Sequence, residues 1–223
     1  MEDEMKKLVV VIIGLACATL VSANLLSNPG FEEGDGQDGV TGSNGFAKGW
    51  AVDWWAYQDT EVQNWGNGHY SGSNAVAFRG WIDGGYGGFG QDVTVDLSNG
   101  NIFDFSIYGR AEADYGSTDS ETWLKMEFWD SSGSTLYYAV TNDIYSAITG
   151  DPDNWNQYSF RYTNDNESVG MVKPMVGAGA FDNTSGSQGA TWDDASFVQI
   201  PEPMTAGLLL LGIGGIYIFR RRK

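Results

Sequence analysis

The sequence predicts an all-β fold, an antiparallel β-sandwich of jelly-roll architecture, flanked by an N-terminal signal helix and a C-terminal hydrophobic helix. Three observations carry this. The 223 residues include 31 glycines and 14% aromatics, a mixture of strand formers and turn formers rather than of helix formers. Several segments alternate apolar and polar residues with period two, as strands with one buried face must. Between the two ends, no apolar stretch sustains a helical period.

The N-terminal element is an address rather than a fold. Lys6 and Lys7 precede the apolar run Leu8–Leu20, which ends in Val21-Ser22-Ala23, a small-residue cleavage site, so residues 1–23 read as a secretory signal peptide. An uncleaved anchor helix is the alternative, although the run is shorter than the ~20 residues a span requires. A lipoprotein reading through Cys17 fits poorly, because Leu15 sits one place too close to the cysteine. The folding unit is then residues 24–200, which is one domain's worth of chain.

Within it the strands can be taken in order. An early pair is expected near Ala75–Arg79 and Gly90–Leu97. In Ile102–Arg110, Phe103, Phe105 and Ile107 share one face and Asp104, Ser106 and Tyr108 the other. In Trp123–Asp130, Leu124, Met126 and Phe128 point inward, leaving Trp123, Lys125, Glu127 and Trp129 outward, before a turn at Asp130-Ser131-Ser132-Gly133. Further strands are expected at Thr135–Val140, Trp155–Thr163, Val169–Val176 and Thr191–Ile200, with one helical turn in Asp143–Thr149. About eight short strands make a sandwich or jelly roll.

Charge and side-chain chemistry exclude several functions. Residues 24–200 carry 25 acidic side chains against six basic ones (Lys48, Arg79, Arg110, Lys125, Arg161, Lys173). Such a surface repels nucleic acid phosphates, so no nucleic acid partner is expected. Cys17 is the single cysteine and lies in the signal run, and His69 is the single histidine, which rules out a disulfide framework, thiol catalysis and a Cys/His zinc site in the mature domain. No nucleophile motif surrounds His69. A glycosidase-type carboxylate pair stays open among so many acids.

At the C-terminus, residues 201–223 begin with Pro201-Glu202-Pro203, continue through the mostly apolar Met204–Phe219 and close on Arg220, Arg221, Arg222 and Lys223. The basic cluster stays cytoplasmic and everything before Pro201 faces out. Sixteen residues containing four glycines make a weak permanent anchor, so a segment meant to be cut fits better; a plain tail anchor is the alternative. This segment resembles the PEP-CTERM sorting signal. The resemblance implies an exosortase and export machinery as partners, a transient membrane tether through the C-terminal helix, and delivery to the cell surface or extracellular matrix of a diderm bacterium that exports polysaccharide.

The folding unit opens on Asn24-Leu25-Leu26-Ser27-Asn28-Pro29-Gly30-Phe31-Glu32-Glu33-Gly34 and closes on Trp192-Asp193-Asp194-Ala195-Ser196-Phe197-Val198. These two strings resemble the first and last strands of galactose-binding-like jelly rolls, including several carbohydrate-binding modules. The resemblance implies a structural Ca²⁺ between those strands, held by Glu32 and by Asp193 or Asp194. Asp193 shares strand parity with Ala195 and Phe197 and is the expected inward ligand; the alternative is that these acids form a solvated rim.

Aromatic residues supply the candidate ligand site. Sugar rings stack their C–H faces on aromatic rings while polar side chains satisfy the hydroxyls. A pocket of Trp55, Trp81 and Tyr86 with Arg79 or Asp83 suits an oligosaccharide, against the alternative that the rings are core. Trp123 and Trp129, outward on an otherwise amphipathic strand, point to a sugar-binding sheet or to packing under a loop. The expectation is a non-catalytic, exported surface or matrix protein that binds carbohydrate, such as the cell's own exopolysaccharide. A structural matrix protein without a sugar site and a polysaccharide-active hydrolase or lyase are the competing readings.

Overall fold

A computed structural model of the chain describes residues 23–33, 53–58, 60–63, 68–79, 86–112, 115, 121–179 and 189–200. Residues 1–22 of the expected signal segment, Trp81, Asp83, and the sorting residues Pro201, Glu202, Pro203, Arg220, Arg221 and Arg222 lie outside the described residues, so the two expected terminal helices fall outside them. Among the described residues no helix is long and apolar enough to cross a membrane.

Two antiparallel sheets pack face to face. The chain runs through β1 (Trp55–Gln58), β2 (Thr60–Gln63), β3 (Ala75–Arg79), β4 (Tyr86–Gly90), β5 (Val93–Thr94), β6 (Ile102–Ala111), β7 (Glu121–Trp129), β8 (Leu136–Asp143), α1 (Tyr145–Thr149), β9 (Asn156–Thr163), β10 (Met171–Gly179) and β11 (Gly189–Ile200). One sheet has the order β1-β4-β10-β7-β8, with β5 also on β10; the other has the order β2-β3-β11-β6-β9. This is the predicted sandwich.

The alternation read from β6 and β7 is the alternation that is buried. Phe103, Phe105, Ile107, Leu124, Met126 and Phe128 are fully enclosed between the sheets, each removing enough apolar surface to contribute about 1.5–3 kcal/mol. Phe103 stacks on Phe197 of β11 at 5.6 Å and meets Phe128 edge-on at 5.8 Å, which joins the two sheets through aromatic contacts. Trp192, also fully buried, lies over Gly109, where any side chain would overlap the indole.

Several expectations change. The strand expected over Gly90–Leu97 is interrupted at Gln91 and Asp92, although the Gln91 N–H still donates to the Pro174 carbonyl at 3.3 Å. The Gln91 side chain ties the break to the opening segment, its Oε1 accepting from the Ser27 N–H at 2.8 Å and its Nε2 donating to the Ser27 carbonyl at 2.9 Å. β4 and β5 therefore occupy the same edge of β10 in succession. β8 runs on to Asp143, and β1 and β2 are additional strands. The helical turn forms where expected.

The opening and closing strings meet. Leu25 N–H donates to the Phe197 carbonyl and Ala195 N–H to the Pro29 carbonyl, at 2.8 and 2.9 Å. The Asn24 side chain clamps the same strand, donating to the Ala195 carbonyl and accepting from Phe197 N–H. The N-terminal segment thus takes over the edge of β11 that β3 leaves after Trp192.

Candidate functional site

At this junction the register of β11 slips: Asp193 pairs with Tyr108 and Ser196 with Ser106, leaving Asp194 and Ala195 as a bulge, with Asp194 at φ 46°. The bulge corrects the parity expected for Asp193. Tyr108 lies between the core-facing Ile107 and Gly109, so Asp193, its partner, belongs to the outer face of the sheet, opposite in direction to Ala195 and Phe197.

Asp193 is nonetheless fully buried, because the 70–74 loop covers it. Its Oδ2 accepts the N–H groups of Tyr70 and Ser71, both at 2.9 Å, and its Oδ1 accepts from Asp194 N–H at 2.7 Å. Burial pushes this carboxyl up to about 6, against the opposing pull of the three N–H groups.

Glu32 holds the other half of the loop, its Oε1 accepting from Ser73 and Asn74 N–H at 2.8 and 3.0 Å. Asp194 Oδ1 accepts from the Ser71 hydroxyl at 3.0 Å. Between them Gly72 takes φ 60° directly against the Glu32 carboxylate, where no side chain fits. Glu32, Asp193 and Asp194 are therefore gathered at one end of the sandwich. Among the described residues no group of three acidic, histidine or cysteine side chains is spaced to hold a metal. Asp193 is committed to backbone N–H groups; Glu32 and Asp194 each keep one oxygen outside these bonds.

The second constellation covers the outer face of the β1-β4-β10-β7-β8 sheet. Register places Trp55 opposite Gly90, Gly90 opposite Met175, Met175 opposite Lys125, and Gly177 opposite Trp123. The Trp123 benzo ring lies over Gly177, in space a side chain would otherwise fill, and Trp55 Cζ2 stands 2.8 Å from where a Gly90 Cβ would be. The indoles thus lie across the sheet and remain half-buried.

Polar groups link them. Trp55 Nε1 donates to Asp92 at 2.9 Å, Asp92 pairs with Lys173 at 3.2 Å, and the Lys173 ammonium sits 4.6 Å over the Trp129 ring. Trp129 Nε1 donates to Glu127 at 3.1 Å, Glu127 pairs with Lys125 at 2.6 Å, and Lys125 lies 5.5 Å over Trp123. One face carries three tryptophans separated by two cations and two carboxylates.

Of the expected pocket, Trp55 belongs to this face. Tyr86 is in the same sheet, whereas Arg79 is at the end of β3 in the other sheet; for both, only the backbone is described. Trp123 and Trp129 point outward as the alternation indicates. Asp92 and Lys173 were not legible as site residues, since their role depends on β5 and β10 being neighbours. Lys125 and Glu127 were legible, as they share the outward parity of the two tryptophans.

No protein-family model and no curated protein matches the chain. Solved structures do. A Stig cyclase from Fischerella sp. TAU matches with a TM-score of 0.52 at 13% identity, over 81% of this chain and 98% of that one. The enzymatically active domain of tailspike protein 4 from bacteriophage CBA120 matches with a TM-score of 0.53 at 12% identity, over 79% of this chain and 21% of that one. A CBM61 module in complex with β-1,4-galactotriose matches with a TM-score of 0.47 at 16% identity, over 80% of this chain and 99% of that one. The first two support the sandwich fold and nothing narrower.

Proposed function

We propose that this chain is a non-catalytic carbohydrate-binding protein of the bacterial surface or matrix, and that it grips polysaccharide on the outer face of the β1-β4-β10-β7-β8 sheet. The observation that carries this reading is the pair of indoles, Trp55 and Trp123, laid across glycines of a half-open sheet face. A pyranose needs an apolar plane for its C–H face and donors and acceptors at its rim. Here Lys125, Glu127, Asp92 and Lys173 flank the rings.

The sorting reading belongs to the same proposal: secretion through residues 1–23, exosortase processing at Pro201-Glu202-Pro203, and release or attachment outside the cell. So does calcium, in a narrowed form. Glu32 and Asp194 would be its side-chain ligands, with backbone carbonyls completing the shell, because hard carboxylate oxygens suit Ca²⁺ and Asp193 is already taken. When bound, the ion would tie the opening segment to the last strand.

Calorimetric titration of the full chain with xylohexaose, β-1,4-galactotriose and the host's own exopolysaccharide tests the sugar site. At least one should bind, and Trp123→Ala should weaken it about tenfold, the equivalent of about 1.4 kcal/mol of stacking. Binding that ignores Trp123→Ala removes the proposed face, and release of new reducing ends marks a hydrolase instead.

A further inference from the structure

We propose a second sugar site on the opposite side of the sandwich, built on Tyr70, Tyr108 and Trp155, so that one molecule holds two polysaccharide strands. The proposal rests on the carbohydrate-binding reading above but on different residues, in the other sheet.

Tyr70 is 44% exposed although it belongs to the loop that seals Asp193. One face of its ring stacks on Tyr108 of β6 at 3.9 Å and 11°. Its exposure requires that ring surface beyond this stack meets solvent. Trp155, at the entrance to β9, stands beside it at 5.7 Å and 56°, so the two rings form an angled cradle rather than one plane. The Arg110 guanidinium lies 5.4 Å over Trp155, and Gln157, the register partner of Tyr108, is exposed next to the stack. An apolar plane bordered by a guanidinium and a carboxamide matches a pyranose as well as the first face does.

The platform is also held in place. An exposed tyrosine on a free loop would lose rotational entropy on binding. Here the backbone N–H of Tyr70 is fixed by the buried Asp193, and that of Ser71 by the same oxygen. The ring is further clamped by Tyr108, which sits on β6, a strand paired on both edges, with β11 and β9.

Because Trp123 and Tyr70 are on the outer faces of different sheets, and packed sheets lie ~10 Å apart before side chains are added, a single oligosaccharide cannot lie flat on both faces. The two sites are therefore independent.

Titration of the full chain with xylohexaose, β-1,4-galactotriose and polygalacturonate, read by calorimetric stoichiometry and by side-chain NMR shifts, decides the matter. Wild type should show two sites for at least one probe. Tyr70→Ala should remove one, weakening it about tenfold or more, while leaving the Trp123 site, and Tyr70→Phe should retain both. Trp123→Ala should do the converse. Unchanged stoichiometry in Tyr70→Ala and in Trp155→Ala, with melting temperatures intact, overturns the second site while leaving the first standing. Loss only in Tyr70→Ala, with Trp123→Ala silent, overturns the first face and keeps the second. Failure of all three probes to shift any ring on either face overturns both.

Discussion

Individual residues show how narrowly the interior is specified. Tyr115 is enclosed, its hydroxyl 2.9 Å from that of Thr122, and burial holds its ionisation well above the ordinary value of 10.0. Its folded pKa exceeds the unfolded one, so its contribution to stability is complete below pH 10 and falls as pH rises beyond it. Denaturant midpoints should therefore fall above pH 10, and the tyrosinate absorbance of this residue should emerge only with unfolding; Tyr115→Phe should flatten that fall. At Gly109 the constraint is steric. Gly109→Ala places a methyl in the Trp192 ring and should cost about 1–3 kcal/mol by overpacking, measurable as a lower urea midpoint. At the opening segment the constraint is electrostatic. If Ca²⁺ binds at Glu32 and Asp194, millimolar Ca²⁺ should raise the melting temperature of wild type but not of Glu32→Gln combined with Asp194→Asn.

At the scale of elements, legibility followed burial. β6 and β7 each place one full face in the core, so a period-two pattern was forced on their sequences and could be read back. β1 offers only four residues, and its aromatics serve both faces: Trp54, just before it, is buried against Phe31 at 4.9 Å, while Trp55 turns outward. No alternation survives there. Asp193 shows a different limit, because a β-bulge shifts the parity of everything beyond it and leaves no mark in composition. The meeting of the two end strings was legible through their resemblance to a known pair of strands; the sheet face could be only half read, since Trp123, Lys125, Glu127 and Trp129 share one strand but Trp55, Asp92 and Lys173 join them only through strand order. Gly177 ties this element to function: Gly177→Ala should displace the Trp123 ring and weaken sugar binding more than it lowers the melting temperature.

For the molecule as a whole, charge sets the conditions. Residues 24–200 carry 25 acids, six bases and no cysteine, so self-repulsion acts against the fold. Raising NaCl from ~10 mM, where the Debye length is about 30 Å, to ~150 mM, where it is about 8 Å, should raise the melting temperature. The two proposed sugar faces sit on opposite broad sides of this body, and the second borrows its rigidity from the joint between first and last segments, since Asp193 and Glu32 hold the loop that carries Tyr70.

That joint has a mechanical meaning. Residue 25 lies beside 197 and residue 29 beside 195, so the two segments run antiparallel and both ends of the folded unit leave it at the same pole. A pull between the two ends reaches the Asn24 side-chain clamp and the Leu25–Phe197 bond first and the Ala195–Pro29 bond after them, like a zipper opened from its tab. Tension between its own ends therefore opens the joint one bond at a time rather than shearing its bonds together.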